Sequence, residues 1–169
     1  YIVMATQFES LSYPMIIMFT IPFAMSGVFI ALWLTGTPLS LNALIGAILL
    51  VGIVTKNGIV LVDYMNLLVE RGSSVSEAVI AGGKSRLRPV LMTSLTTILG
   101  MLPMALGIGE GSETWQPMGI AVVGGLLVST LMTLFIVPSL YAMLEGHHQR
   151  KLARKARLQA EEEAFIREQ

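Results

Sequence analysis

The sequence contains no cysteine and carries little charge for its length. Of its 169 residues, 13% are charged and 54% are hydrophobic. The absence of cysteine excludes a disulfide framework and a thiolate metal site, and it leaves the redox compartment undecided. The low charge, several long apolar runs and a mean hydropathy of +0.72 argue against an ordinary soluble domain and predict a multi-span membrane protein.

Sequence motifs of enzymatic chemistry are absent as well. The sequence has no HExxH zinc motif and no GxSxG nucleophile elbow, so hydrolytic catalysis has no support. The run Gly83-Lys84-Ser85 resembles the end of a phosphate-binding loop, but Ala78 stands where that loop requires its first glycine. We therefore expect no enzymatic activity, no cofactor, no metal and no nucleic-acid partner.

Four hydrophobic segments are long enough to cross a bilayer as helices. They cover about residues 14–34, 41–65, 90–108 and 115–144. Pro22 predicts a kink or local break in the first span, and the extra length of the fourth predicts that it tilts or projects from the membrane. Residues 9–145 are thus predicted to form an all-α bundle of four transmembrane helices.

The segments outside these spans differ in character. The chain begins at Tyr1 rather than methionine, and residues 1–8 are interpreted as the end of a truncated transmembrane helix in a C-terminal fragment. Ser74 and Glu77 predict a capping box that opens a short amphipathic cytoplasmic helix. Residues 146–169, basic and then acidic, predict a charged helical tail that lies solvated near anionic lipid, with a specific partner site as the alternative.

The distribution of lysine and arginine predicts the orientation. The connector 66–89 holds four of these residues and the tail six, whereas the short loops 35–40 and 109–114 hold none. The positive-inside rule places the connector and the C terminus in the cytoplasm, and both short loops outside.

Lys56 lies near the middle of the second span, where an ammonium group costs several kcal/mol. Its stem is too short for full escape to the interface. A titratable group at this depth is most often part of an ion or proton pathway, although it can also be a structural lysine that pins two helices through a carboxylate. Asn57 adds an amide beside it. Gly52 lies on the same helical face and is expected to allow a neighbouring backbone to approach closely. Asp63 is interpreted first as a residue at the membrane boundary and only second as a member of a proton relay.

The third span carries a polar stripe. Thr93, Thr97 and Gly100 share one helical face, and Arg86 joins it if the helix begins that early. A single threonine in a membrane helix usually donates its hydrogen bond to the preceding backbone turn. The combination with arginine and glycine favours the wall of a polar path.

The fourth span shows structural patterns instead. Small residues recur at every fourth position, at Gly125, Ser129 and Thr133, and predict a close-packing face for another helix. Trp115 and Tyr141 stand near its two ends and are interpreted as interfacial aromatics.

Two linked motifs give the chain a specific resemblance to a known family. They are GIVTKNGIVLVD from Gly52 to Asp63 and RLRPVLMTS from Arg86 to Ser94. With these motifs the chain, up to about Tyr141, resembles the resistance–nodulation–division (RND) efflux transporters of the hydrophobe/amphiphile, acriflavine-resistance type. The resemblance implies the C-terminal part of the second transmembrane repeat of that fold.

The resemblance also implies a function and a set of site residues. Such transporters are trimeric, proton-driven antiporters of the bacterial inner membrane that expel hydrophobic and amphiphilic compounds. Their proton relay uses a lysine, a threonine and an arginine, which Lys56, Thr93 and Arg86 match, and Asn57 is added because it neighbours the lysine. Two aspartates of the first repeat complete that relay and have no counterpart here.

The partners follow from the same resemblance. They are a missing N-terminal part with an acidic pair, further copies in a homotrimer, the lipid bilayer and, in a Gram-negative cell, a periplasmic adaptor and an outer-membrane channel. The proton motive force supplies the energy, so no cofactor is implied.

Other functions stay open at this point. One is protein or lipid export by another member of the RND superfamily, which the extracytoplasmic sequence would distinguish. Another is a non-transporting membrane anchor or assembly subunit in which Lys56 forms a structural pair. A channel has little support, because four helices with one lysine provide no ring of selectivity residues.

Overall fold

The described chain is helical throughout its regular elements. The computed structural model describes the backbone of residues 1–167 and the side chains of residues 1–146. Six helices follow one another: α1 Ile2–Phe8, α2 Ser12–Met18, α3 Thr20–Thr35, α4 Leu41–Glu70, α5 Val75–Ala105 and α6 Ser112–Arg167. Four segments are long and apolar enough to cross a membrane, namely Ser12–Thr35, Leu41–Glu70, Val75–Ala105 and Ser112–Gly146. The all-α fold with four apolar spans is therefore confirmed.

The first span contains a break at Phe19, between α2 and α3. Pro22 lies three residues further on, and it has no N–H to bond the carbonyl of Met18. The predicted break therefore falls before the proline rather than at it. Phe19 keeps a right-handed helical conformation, with φ −64° and ψ −20°.

Helix α5 differs from the prediction. The short cytoplasmic helix and the third span form one continuous helix that starts at Val75 and ends at Ala105. The capping box itself is confirmed, because Ser74 Oγ accepts a hydrogen bond from the Glu77 N–H and a Glu77 carboxylate oxygen accepts one from the Ser74 N–H. Pro89 does not end the helix, since it removes a single backbone donor, a loss that membrane helices tolerate.

The remaining bounds also shift from those expected. Helix α4 extends to Glu70 instead of residue 65, and the fourth span runs over Ser112–Gly146 instead of 115–144. The backbone of α6 continues as a helix to Arg167. The prediction of a solvated, charged tail concerns side chains after residue 146, which lie outside the described side chains.

Helix α6 is the centre of the bundle and packs against α3, α4 and α5. Glycines allow this close approach: a Cβ atom at position 124 would lie 2.1 Å from the Cβ of Ala31, and one at position 125 would lie 2.1 Å from Leu50 Cδ2. Ser129 and Thr133 are buried on the same helix. The predicted close-packing face is confirmed.

Tyr141 is not an interfacial side chain in this chain, contrary to the expectation. It is completely buried, its hydroxyl donates a 2.7 Å hydrogen bond to Asn66 Oδ1, and its ring stacks on that of Tyr13. A buried phenol needs a hydrogen-bond partner, and Asn66 on α4 supplies it. Trp115 remains half exposed.

A candidate functional site between two helices

The four candidate residues line one groove between α4 and α5. Its volume is about 100 Å³, and its wall is made by Lys56, Asn57 and Val60 of α4 with Arg86, Pro89, Val90 and Thr93 of α5. The two sets are far apart in sequence, so only the packing of these helices brings them together.

Helical geometry explains why these positions meet. Lys56 and Val60 are one turn apart on α4, and Arg86, Val90 and Thr93 recur at helical spacing along α5. Because α5 begins at Val75, Arg86 is a true helical residue and shares the face of Thr93. The prediction that Arg86 joins the polar face of Thr93 required a helix that begins before Arg86, and α5 does so.

Lys56 is exposed in this chain. Among the described residues it forms no hydrogen bond and no ion pair, and none of the groove-lining side chains is acidic. The expected close approach at Gly52 is also not found, since no described atom lies within 4 Å of a Cβ built there. Asp63 is exposed and does not line the groove.

Arg86 is held differently from Lys56. Its guanidinium carbon lies 4.6 Å from the centroid of the Tyr64 ring, a cation–π contact that joins α5 to α4. Its Nε is buried and has no hydrogen-bond acceptor among the described residues. The arginine is thus packed by an aromatic face and not neutralised by a carboxylate of the described chain.

The threonine hydroxyls make local hydrogen bonds. Thr93 Oγ1 donates to the carbonyl of Pro89 and Thr97 Oγ1 to that of Thr93, both at 2.9 Å, which is the ordinary arrangement for threonine in a membrane helix. The neighbouring Ser94 forms a buried 2.8 Å hydroxyl pair with Thr130 of α6. This pair joins α5 to α6 next to Thr93.

The groove is lined by two cationic side chains, an amide and a hydroxyl, and by no acidic side chain of the described residues. Such a site can receive a carboxylate, and none of the described lining residues supplies one. Helix α5 also offers the most open surface, because only 11% of its apolar stretch is buried, compared with 39%, 44% and 50% for the other three spans.

Tyr64 is the residue of this site that no sequence pattern indicated. An aromatic side chain near the end of an apolar helix is common, and its position relative to Arg86 depends on how α4 and α5 pack. The only available signal was its helical placement, two turns after Lys56.

Comparisons with known proteins cover nearly all of the described bundle. The model of the AcrB/AcrD/AcrF family matches residues 1–145. The multidrug resistance protein MdtC of Proteus mirabilis is 45% identical over 151 residues, which are 89% of this chain and 15% of that protein. The cobalt-zinc-cadmium resistance protein CzcA of Cupriavidus metallidurans is 39% identical over 143 residues, 85% of this chain and 14% of that protein.

A solved structure agrees with these matches. The crystal structure of a heavy metal efflux pump superimposes with a TM-score of 0.77 at 35% sequence identity, covering 86% of this chain and 14% of that chain. The chain thus spans about one seventh of the length of the relatives it matches.

Proposed function

The chain belongs to the AcrB/AcrD/AcrF family, and we propose that it supplies the lysine-bearing part of the membrane domain of a proton-driven RND efflux transporter. The observation that carries the proposal is the groove between α4 and α5, which gathers Lys56, Asn57, Arg86 and Thr93. Transport is an activity of the larger protein, since the chain corresponds to 15% of the length of MdtC.

The charge balance of the groove supports a relay with a partner from outside the chain. Two cationic residues line it, and no acidic side chain does. An ammonium group within a bilayer is stable only when a carboxylate or water compensates its charge. We propose that the rest of the transporter presents acidic side chains to Lys56.

The proposed cycle alternates between two states of Lys56. When the partner carboxylate is ionised, the lysine is attracted to it. When a proton neutralises that carboxylate, the attraction is lost and the lysine turns towards Asn57 or the Thr93 hydroxyl. The two arrangements favour different helix positions, so proton binding shifts the population of transporter conformations. Arg86 then favours proton release on the cytoplasmic side.

The proposed substrates are hydrophobic and amphiphilic compounds. The name of MdtC supports this choice, at 45% identity. Metal cations are the second candidate, because CzcA and a heavy metal efflux pump are similar to this chain at 39% and 35% identity. Accumulation of a lipophilic dye and of zinc, each measured in cells with and without the transporter, separates the two.

The proposed setting is the bacterial inner membrane, with the C terminus in the cytoplasm. The positive charges of the connector 66–89 and of the tail support this orientation. A homotrimer that works with a periplasmic adaptor and an outer-membrane channel is proposed from the family resemblance.

The test is transport by the complete transporter in proteoliposomes under an imposed pH gradient. Lys56→Ala should reduce substrate-coupled proton flux to the level of empty vesicles, with trimer assembly unchanged. Lys84→Ala is the matched control, because Lys84 is an exposed lysine on α5 outside the groove, and it should transport normally. Normal flux in Lys56→Ala would refute the relay.

A structural lysine makes a different prediction. Exchanging Lys56 with its acidic partner should preserve a helix-pinning ion pair and leave the protein functional. A relay should lose transport, because the proton-binding carboxylate then occupies the wrong helix.

A further inference from the structure

Tyr64 and Arg86 form a cation–π contact at the interface between α4 and α5 that also forms the groove. Tyr64 lies on α4 and Arg86 on α5, with 4.6 Å between the guanidinium carbon and the ring centroid. Arg86 lines the groove, whereas Tyr64 does not. The tyrosine thus touches a groove residue from outside the groove.

The ring of Tyr64 is the aromatic partner of a guanidinium that has no ion pair among the described residues. Its Nε is buried and finds no acceptor among the described residues, so no carboxylate of this part of the chain fixes it. An arginine side chain has several rotatable bonds, and an aromatic face restricts it by stacking on the planar guanidinium.

The phenol hydroxyl has no part in this arrangement. Among the described residues, the Tyr64 hydroxyl makes no hydrogen bond, unlike the hydroxyls of Tyr13 and Tyr141. The ring is therefore the group through which Tyr64 acts on Arg86.

We propose that Tyr64 is a positioning residue that holds Arg86 at the wall of the groove, at a fixed place relative to Lys56 and Thr93. The inference rests on the proposed function, in which Arg86 assists proton release. Loss of the ring allows the guanidinium to leave the groove wall, which slows the proton step without changing the binding of the exported compound.

The test compares variants of the complete transporter in proteoliposomes. Tyr64→Phe keeps the ring and should transport within about twofold of the wild type. Tyr64→Leu removes the ring and should lower the maximal rate about tenfold, which lies between the effects of an exposed and a desolvated cation–π contact, because both side chains are partly buried. The half-saturating substrate concentration should not change. Arg86→Gln should abolish proton-coupled transport.

The outcomes distinguish the positioning role of Tyr64 from the role of Arg86 in the proposed function. If Arg86→Gln is inactive and Tyr64→Leu transports like the wild type, the positioning role is overturned and the proposed function stands. If Arg86→Gln transports normally, the role of Arg86 in the proposed function fails. Equal impairment of Tyr64→Phe and Tyr64→Leu would assign the effect to the hydroxyl and overturn the inference.

A second measurement tests the contact between Tyr64 and Arg86 even if the Tyr64→Leu variant does not assemble. The indole emission of the Tyr64→Trp variant is recorded as a difference spectrum from the protein with Tyr64. This is done once with Arg86 present and once with Arg86→Gln in both proteins. A guanidinium stacked on the ring should make the two emission spectra differ, and identical spectra would overturn the contact.

Discussion

The Tyr141 hydroxyl donates a 2.7 Å hydrogen bond to Asn66 Oδ1 and so connects α6 to α4. The Tyr13 ring stacks on Tyr141 at 5.7 Å, and its own hydroxyl donates to a carboxylate oxygen of Glu145 at 2.9 Å. Three helices are thereby tied together near the C-terminal end of α4, the helix that carries Lys56. This cluster anchors the C-terminal end of the helix that carries Lys56 to α6.

Tyr141→Phe should destabilise the folded transporter by about 1 kcal/mol, because it removes a part-buried hydrogen bond between two helices. The measurement is the thermal unfolding midpoint of the complete transporter in detergent for Tyr141→Phe, Asn66→Ala and the double variant. The double variant should lose less than the sum of the single losses. Strict additivity would show that the hydrogen bond does not couple α4 and α6.

Gly124→Ala should destabilise the bundle by about 1–3 kcal/mol through overpacking. A Cβ atom there would lie 2.1 Å from the Cβ of Ala31 and 3.2 Å from the Gly27 carbonyl oxygen, so α3 and α6 must separate. Gly83→Ala is the control, since a Cβ built at Gly83 meets no described atom within 4 Å. The unfolding midpoints of the two variants provide the check, and equal midpoints would contradict the packing.

Ser94→Ala should weaken the contact between α5 and α6 by about 0.6 kcal/mol, the average for hydrogen bonds between membrane helices. Its hydroxyl pairs with that of Thr130 at 2.8 Å in a buried position. A double-mutant cycle with Thr130→Val measures the coupling. A coupling energy of zero would mean that other contacts set the rotation of α5.

Ser74→Ala should fray the start of α5 at a cost of about 1 kcal/mol, because the capping box is lost. Hydrogen exchange of the first-turn amides should accelerate several-fold. Ser76→Ala is the control, since Ser76 is exposed within the helix and makes no capping bond. Equal exchange in both variants would argue against the cap.

The apolar spans and the capping box were predictable because they depend on local composition and on short-range hydrogen bonds. The continuity of α5 through Pro89 was not, since one missing backbone donor does not decide whether a helix ends. Lys56 was also predictable, because a charged residue within an apolar segment can be recognised without knowing how the helices pack. The burial of Tyr141 and the cation–π contact of Arg86 with Tyr64 depend on how distant helices pack, which local patterns do not specify.

A structure of the complete transporter in lipid tests the central claim most directly, through the distance from Lys56 Nζ to the nearest carboxylate oxygen. We expect an acidic side chain from outside residues 1–169 within ion-pair distance of Lys56, about 4 Å, in at least one transport state. A Lys56 that opens onto bulk water in every state, with no acidic side chain within reach, would contradict it.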